Sequence, residues 1–167
     1  MMNLSRTGKF YLIKLLRLRG SPHAIALGAS IGVFIGITPT VPLHTMAILV
    51  LTLMTRSSFV AGIITSWLVC NPLTYIPQYY LSLVIGNLVT PYHLSWSRIK
   101  DVLDIVLADI AFVERMQHLG ALGSEAIIVM LAGGTLLALP FALLSYYACY
   151  YTIVTFRKKR REKQVLK

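Results

Sequence analysis

Acidic residues are scarce in this sequence, and a long central region has none. Only 6 of the 167 residues are Asp or Glu, against 16 Lys and Arg, and charged residues make up 13% of the chain. Between Ser21 and Thr90 there is no carboxylate, and Arg56 is the only formal charge. A water-soluble domain needs polar surface to face water, whereas a lipid-facing domain excludes charge. The deficit therefore argues against a soluble domain and favours a membrane domain.

Residues that carry chemistry are also scarce. The two cysteines, Cys70 and Cys149, are far apart in apolar runs, so no metal site or redox pair is predicted. The sequence shows no nucleophile–base pair, paired carboxylates or metal cluster. We therefore expect neither an enzyme nor a cofactor. His23, near a helix start, is interpreted as structural, whereas His44 stays open between a structural and a functional role.

The charge that is present lies at the two ends of the chain. Basic residues flank the apolar region on both sides: Arg6, Lys9, Lys14, Arg17 and Arg19 before it, and Arg157, Lys158, Lys159, Arg160, Arg161, Lys163 and Lys167 after it. Basic flanks beside apolar spans are the positive-inside signal, which we favour over a nucleic-acid footprint. We expect no nucleic-acid partner, both termini in the cytoplasm, and contact with membrane lipids, including anionic head groups at the basic ends.

Two apolar stretches interrupted by proline, at 22–55 and 57–90, dominate the centre. The first contains the run from Thr38 to Pro42, and the second contains Asn71-Pro72 with Pro77 further along. Each arm is shorter than the roughly 20 residues that a full span needs. The pattern predicts two re-entrant helical hairpins or, alternatively, pairs of short spans. The stretches also match weakly, Thr38-Pro39 with Asn71-Pro72 and Pro42 with Pro77, either as a repeat or by chance.

The remaining residues predict three further segments. Residues 1–20 predict a basic amphipathic helix on the membrane surface. Residues 96–118 predict a second amphipathic helix, which faces either the membrane interface or a partner. The apolar segment 124–156 is interrupted by glycines and a proline, which leaves open whether it crosses once or twice. A basic cytoplasmic tail follows at 157–167.

The predicted fold class is therefore an all-α integral membrane protein, with residues 21–156 as a single membrane domain. It combines two proline-broken helical hairpins, an amphipathic interfacial helix and a long C-terminal transmembrane segment. Ser21 is a predicted N-cap with Pro22 at the first helical position. The glycines at 28, 32 and 36 then give one smooth helix face. Another helix packs there, either in the same protomer or in a second copy, and we expect a homo-oligomer.

The two breaks are the predicted substrate site. Each break exposes the N-terminus of a return arm, where amides and the helix dipole favour negative charge. Neutral hydrogen-bonding groups surround the breaks, and the lack of carboxylates disfavours a proton-coupled cation carrier. An anionic or polar small molecule or a phospholipid head group fits best. The candidate substrate-binding residues are Thr38, Pro39, Thr40, His44, Asn71, Pro72, Thr74, Tyr75 and Gln78.

Particular motifs resemble a known family. The run from Gly20 to Gly28, the run from Gly32 to Pro39 and the motif Asn71-Pro72-Leu73-Thr74 resemble a bacterial membrane-domain family, domain-of-unknown-function family 2062. The resemblance covers roughly residues 10 to 150. It implies a multi-pass protein of the bacterial inner (cytoplasmic) membrane and implies no particular reaction. The broken hairpins also resemble the DedA-type lipid carriers in architecture, although the acidic residues expected of those carriers are missing here.

Three function classes follow from these patterns. A membrane transport protein, which moves or binds its substrate at the broken-helix tips, is the first. A homo-oligomeric ion channel is the second, because free carbonyls of the entering arms could line a pore. A membrane scaffold, which recruits a partner through residues 96–118 and transports nothing, is the third.

Overall fold

The computed structural model describes residues 13–40, 43–70, 72–95 and 124–165, together with residues 97, 100 and 113. These described residues are helical and contain no strand. The predicted surface helix lies mostly outside them, as do Asn71 and nearly all of the helix predicted at 96–118. The five long helices are α1 (Pro22–Ile37), α2 (His44–Met54), α3 (Phe59–Val69), α4 (Pro72–Val89) and α5 (Ser124–Val165).

Helix α1 begins where the sequence predicts. Ser21 Oγ accepts a hydrogen bond from the Ala24 amide at 3.1 Å, and Pro22 occupies the first turn, where its missing N–H costs nothing. The helix has 16 residues and ends at Thr38, whose amide donates to Phe34 O. Helix α1 lies at the centre of the molecule, because it packs against α3 on one side and α5 on the other.

The glycine face of α1 packs against α3, so it is occupied within one chain. A side chain on Gly28 would strike the Ser58 carbonyl, and one on Gly32 would strike the Gly62 carbonyl and the Thr65 hydroxyl. The Ser58 amide donates to Ala24 O at 2.9 Å, and Thr65 Oγ1 donates to Ala29 O at 2.9 Å. The residue numbers of the contacting pairs therefore increase together along both helices. This means that α1 and α3 run parallel and that their C-terminal ends lie at the same level.

Helix α2 connects these two parallel helices by running back between their ends. It has 11 residues, and its Ile48 is fully buried. A side chain on Gly62 would come within 2.9 Å of Ile48 Cγ2. Helix α2 ends in a polar turn at Arg56, which adopts a φ of 51°, and Ser58 then caps α3. Helices α1 and α2 therefore fold back on each other as one hairpin.

Helix α5 is a single helix of 42 residues that continues through Gly133-Gly134 and Pro140. The glycines provide close contacts rather than a break. A side chain on Gly134 would strike Pro39, and one on Gly133 would strike the Ser82 carbonyl. Further along, Ser30 Oγ donates to Ala142 O at 2.8 Å. Helix α5 therefore runs antiparallel to α1, and its N-terminal part packs against α4.

The second broken stretch bends through a right angle. Residues Phe59–Val69 and Thr74–Val89 meet at 92°, and α4 packs along α5 rather than along α3. Tyr79 and Leu83 of α4 form a core cluster with Val129 and Met130 of α5. Pro77 lies inside α4 and makes no second break. The predicted match of Pro77 to Pro42 therefore has no structural support on the α4 side.

The start of α1 and the basic end of α5 are joined directly. Arg157 donates from Nη1 to Gly20 O at 2.7 Å and from Nη2 to Leu18 O at 3.0 Å. The Tyr146 hydroxyl lies 3.2 Å from His23 Nδ1. The basic segments before α1 and after α5 therefore lie at the same end of the molecule, and the breaks lie away from them.

Large apolar side chains cover the outside of the helices. Exposed fractions reach 67% at Leu144, 61% at Trp67 and 85% at Leu88. One described helix is long and apolar enough to cross a membrane, the part of α5 from Glu125 to Glu162, and the bent pair α3–α4 passes the same test if it is counted as one span. The remaining helices α1 and α2 are apolar but shorter.

Candidate functional site

The two breaks, which are the predicted substrate site, lie side by side. Ile37, the last residue of α1, and Val69, the last residue of α3, contribute to one apolar cluster with Ala138 of α5. A side chain on Gly36 would lie 3.4 Å from Ser66 Cα and 3.6 Å from Val69 Cβ. This meeting point, which we call the break junction, follows from the parallel packing of α1 and α3.

The first break satisfies its own backbone. Thr38 is buried, and its hydroxyl donates to Phe34 O at 2.8 Å. The Thr40 hydroxyl lies 3.4 Å from Thr38 O and 3.5 Å from Ile35 O. Pro39 rests against Gly134 of α5. The Thr38 hydroxyl therefore adds a second bond to a carbonyl that already accepts the Thr38 amide, and the Thr40 hydroxyl lies near two further carbonyls at the end of α1.

The second break is closed by similar bonds. The Cys70 amide donates to Ser66 O at 2.7 Å, and Thr74 Oγ1 donates to Val69 O at 2.7 Å. Cys70 Sγ donates to the Tyr75 hydroxyl at 3.1 Å, which joins the end of α3 to the first turns of α4. Gln78 lies half-buried two turns into α4. Asn71, between the two helices, lies outside the described residues, and Pro72 begins α4.

His44 differs from the other candidate residues, because its Nε2 is buried and has no hydrogen-bond partner. It is the first residue of α2, and the residue before it, Leu43, makes no side-chain cap. The first amides of α2 therefore have no capping side chain, and a ring nitrogen beside them is unsatisfied. Buried polar atoms without a partner are rare and costly. His44 is thus the described candidate that most clearly has bonding capacity to spare.

Comparison with known families agrees with the motifs at these breaks. The model of a bacterial family, "Uncharacterized protein conserved in bacteria (DUF2062)", matches residues 5–162. The chain belongs to this family. The match includes both breaks and the whole apolar part of α5, so these features lie within the DUF2062 domain. Comparison with curated proteins and with solved structures gives no match.

The break junction of this DUF2062 domain can provide polarity without formal charge. No Asp, Glu, Lys or Arg lies between Pro22 and Thr55 or between Ala126 and Phe156, which are the segments that meet there. The hydroxyls of Thr38 and Thr74 are used to close the breaks, and so are the carbonyls of Phe34 and Val69. Among the described candidate residues, the His44 ring has a buried nitrogen without a partner, and the start of α2 has no capping side chain.

Two contributors to the junction were missed by sequence reasoning. Gly134 of α5 leaves the space in which Pro39 packs, and Cys70 donates a hydrogen bond to the Tyr75 hydroxyl. The Gly133-Gly134 pair was interpreted as an interruption, although paired glycines in an apolar run also signal close helix contact. The bond between Cys70 and Tyr75 depends on the bend between α3 and α4, which the sequence pattern does not specify.

Proposed function

We propose that this protein is a multi-pass bacterial inner-membrane protein that moves or binds an anionic or polar solute, or a phospholipid head group, at the break junction. The observation that carries the proposal is the meeting of two helix breaks in one uncharged place. Interrupted helices at membrane depth are tolerated where they are packed in protein or line a polar cavity. Paired breaks of this kind are a feature of transport sites.

The outer surface supports embedding in a bilayer. Exposed leucine, valine, methionine and tryptophan side chains cover the outward faces of α2, α3, α4 and α5. A water-soluble monomer rarely exposes so much contiguous apolar surface. The apolar part of α5 exceeds the roughly 20 residues that a span needs. The described segments that would lie in lipid carry Arg56 as their one charge, in a turn at the end of α2.

The position of the basic ends supports cytoplasmic termini. Arg157 bonds to the carbonyls of Leu18 and Gly20, so the basic segments that flank the apolar region lie together. The positive-inside rule assigns such ends to the cytoplasmic face. The break junction then lies toward the opposite side of the hydrocarbon core, because Gly134 is 23 residues or about 35 Å of helix away from Arg157 along α5 and the core is about 30 Å thick.

The chemistry of the junction supports an anion or a neutral polar group as its ligand. The start of α2, which follows the first break along the chain, has no capping side chain, so its first amides keep the positive partial charge of a helix N-terminus. His44 adds an unsatisfied nitrogen. A pore lined by free carbonyls has less support, because threonine hydroxyls already occupy the Phe34 and Val69 carbonyls. A solute or head-group site therefore has more support than a cation channel.

The experiment uses the full chain in phosphatidylcholine vesicles. Two probes are followed: the movement of fluorescent phosphatidylglycerol between leaflets, and the uptake of inorganic phosphate. We expect activity with at least one probe and its loss in the Asn71→Asp variant, which remains folded. Aspartate still caps a helix, but it adds negative charge where we place an anion.

The matched control is Ser57→Asp, which adds the same charge at the opposite end of α2 and α3. It should retain activity. Activity of Asn71→Asp equal to that of the unmodified chain would refute the anion site. Absence of movement with both probes would refute transport of these ligands, and retention in the vesicles would show separately whether the chain is embedded.

A further inference from the structure

A cavity lies at the basic end of the molecule, away from the break junction. It is open to the outside and has a volume of about 560 Å³ between the start of α1 and the last turns of α5. Its lining residues are Pro22, Val154, Arg157, Lys158, Arg161 and Glu162. Three cations and one carboxylate therefore face a single space, which carries a net positive charge. This arrangement attracts an anion of more than one oxygen, because several donors converge on it.

One wall of the cavity is held in place by the rest of the fold. Arg157 uses Nη1 and Nη2 to bond Gly20 O and Leu18 O, so its guanidinium is fixed against the chain that leads into α1. Lys158 and Arg161 are exposed, and their side chains are long and flexible. The cavity thus combines a fixed cation with two cations that can close on a ligand.

The face of α5 below the cavity is apolar. Tyr147, Tyr151, Val154, Lys158 and Arg161 recur every three or four residues, so they form one stripe along the helix. The part of this stripe nearer the break junction is exposed and apolar, with 65% of Tyr151 and 38% of Val154 accessible. The other part is basic. The stripe therefore changes from apolar to cationic over about two turns, which matches the change from acyl chain to phosphate in a phospholipid.

We propose that this cavity binds the phosphate of an anionic phospholipid, with the acyl chains lying along Tyr147, Tyr151 and Val154. Lys158 and Arg161 are the residues that select the anionic head group. The inference rests on the proposed function only in placing α5 in a bilayer, and it concerns the end opposite the break junction. A free phosphate would use the same cations but would gain nothing from the apolar stripe.

The test measures lipid binding by the purified full chain in a neutral detergent. Phosphatidylglycerol is titrated in, and bound copies are counted by native mass spectrometry. We expect one saturable copy. The double variant Lys158→Gln/Arg161→Gln should weaken that binding about tenfold or more, because each basic residue near an anionic lipid contributes about fivefold in affinity. Arg157 is left intact, because it also holds the chain before α1.

The matched control is Lys159→Gln/Arg160→Gln, which removes the same charge from the same turn but lines no part of the cavity. It should bind phosphatidylglycerol like the unmodified chain. The variant Glu162→Gln, which removes the one carboxylate, should bind more tightly. Phosphatidylcholine should bind more weakly than phosphatidylglycerol.

Three outcomes would overturn the lipid site. They are equal loss in both double variants, no loss in either, and displacement of the lipid by inorganic phosphate at equal concentration, which would point to a free anion instead. Retention of the chain in phosphatidylcholine vesicles tests embedding separately. If the chain is retained and the cavity variants bind normally, the cavity proposal fails and the proposed membrane function stands.

Discussion

The inside and the outside of this helical assembly use opposite kinds of side chain. The closest helix contacts in the interior are made by glycine, serine and threonine, as at Gly32 against Gly62 and Thr65. Large apolar side chains such as Leu144 and Trp67 face outward. In a water-soluble protein, burial of large apolar residues drives folding. Here close backbone approach and hydrogen bonds join the helices, which is the arrangement expected when lipid surrounds them.

The fully buried side chains include both large apolar and small polar residues. Among the described residues, the largest fully buried side chains are isoleucine, valine, threonine and serine, at positions that include Ile25, Val129 and Thr52. The interior therefore combines buried isoleucine and valine with the small residues at which helices approach most closely. Substitutions on the two sides should consequently fail for different reasons.

The largest expected effect is from a charge on the outside. Leu144 lies near the middle of the apolar part of α5 and is 67% exposed. If lipid covers it, Leu144→Lys should cost about 2.5–3.5 kcal/mol of membrane insertion. On a surface facing water the same change would be nearly neutral. The fraction of chain integrated into bacterial membranes measures the difference.

The control for this change is Leu144→Ala, which keeps the outside apolar and should integrate like the unmodified chain. Normal integration of the lysine variant would mean that water, or another part of the chain, covers this face of α5.

A smaller effect is expected from a single methyl group inside. Gly32→Ala should cost about 1–3 kcal/mol of unfolding free energy, because the added carbon meets the Gly62 carbonyl and pushes α1 away from α3. Gly36→Ala is its matched control, since its nearest neighbours lie at 3.4 Å and 3.6 Å. Alanine is also the better helix former there. Thermal unfolding of the two variants in detergent gives the comparison, and equal stability would contradict the close contact at Gly32.

The smallest expected changes in unfolding free energy are from removing single hydroxyls, one with a hydrogen-bond partner and one without. Thr65→Val removes a hydroxyl that lies 2.9 Å from both Ala29 O and Ala61 O. If lipid surrounds the helices, the change should cost about 0.6 kcal/mol, at most about 1.7 kcal/mol, which is the range for hydrogen bonds between membrane helices. Ser82 Oγ is buried without a partner. Ser82→Ala should therefore cost nothing or stabilise the protein slightly. A larger loss for Ser82→Ala than for Thr65→Val in the same unfolding experiment would reverse the assignment.

Local features of the fold could be predicted from the sequence. The cap at Ser21 and the first-turn proline at Pro22 are expected from residue type alone, and both are confirmed. These features depend on interactions within a few residues of the chain. The break after α1 is of the same kind, because Pro39 and Pro42 cannot continue a helix.

Features set by long-range packing could not be predicted. The glycines of α1 indicated that another helix comes close, but nothing in their spacing identifies α3 or the parallel direction. The pair Gly133-Gly134 predicts an interruption, yet both glycines lie inside α5. Ser82 and Pro39 pack against them in the space that a side chain would occupy. The right angle between α3 and α4 likewise depends on α5, which supplies the surface that α4 covers. The position of Asn71 lies outside the described residues and stays a prediction.

The central claim, that lipid covers the apolar outside, has one direct measurement. Leu144 and Lys159 are both exposed on α5, so the protein shields neither position. Each is changed to cysteine in a full chain whose Cys70 and Cys149 are replaced by alanine, and the chain is reconstituted in vesicles opened to a membrane-impermeant maleimide on both sides. We predict that the cysteine at 159 reacts fully and that the one at 144 reacts only after detergent is added. Equal reaction at both positions without detergent would contradict the account.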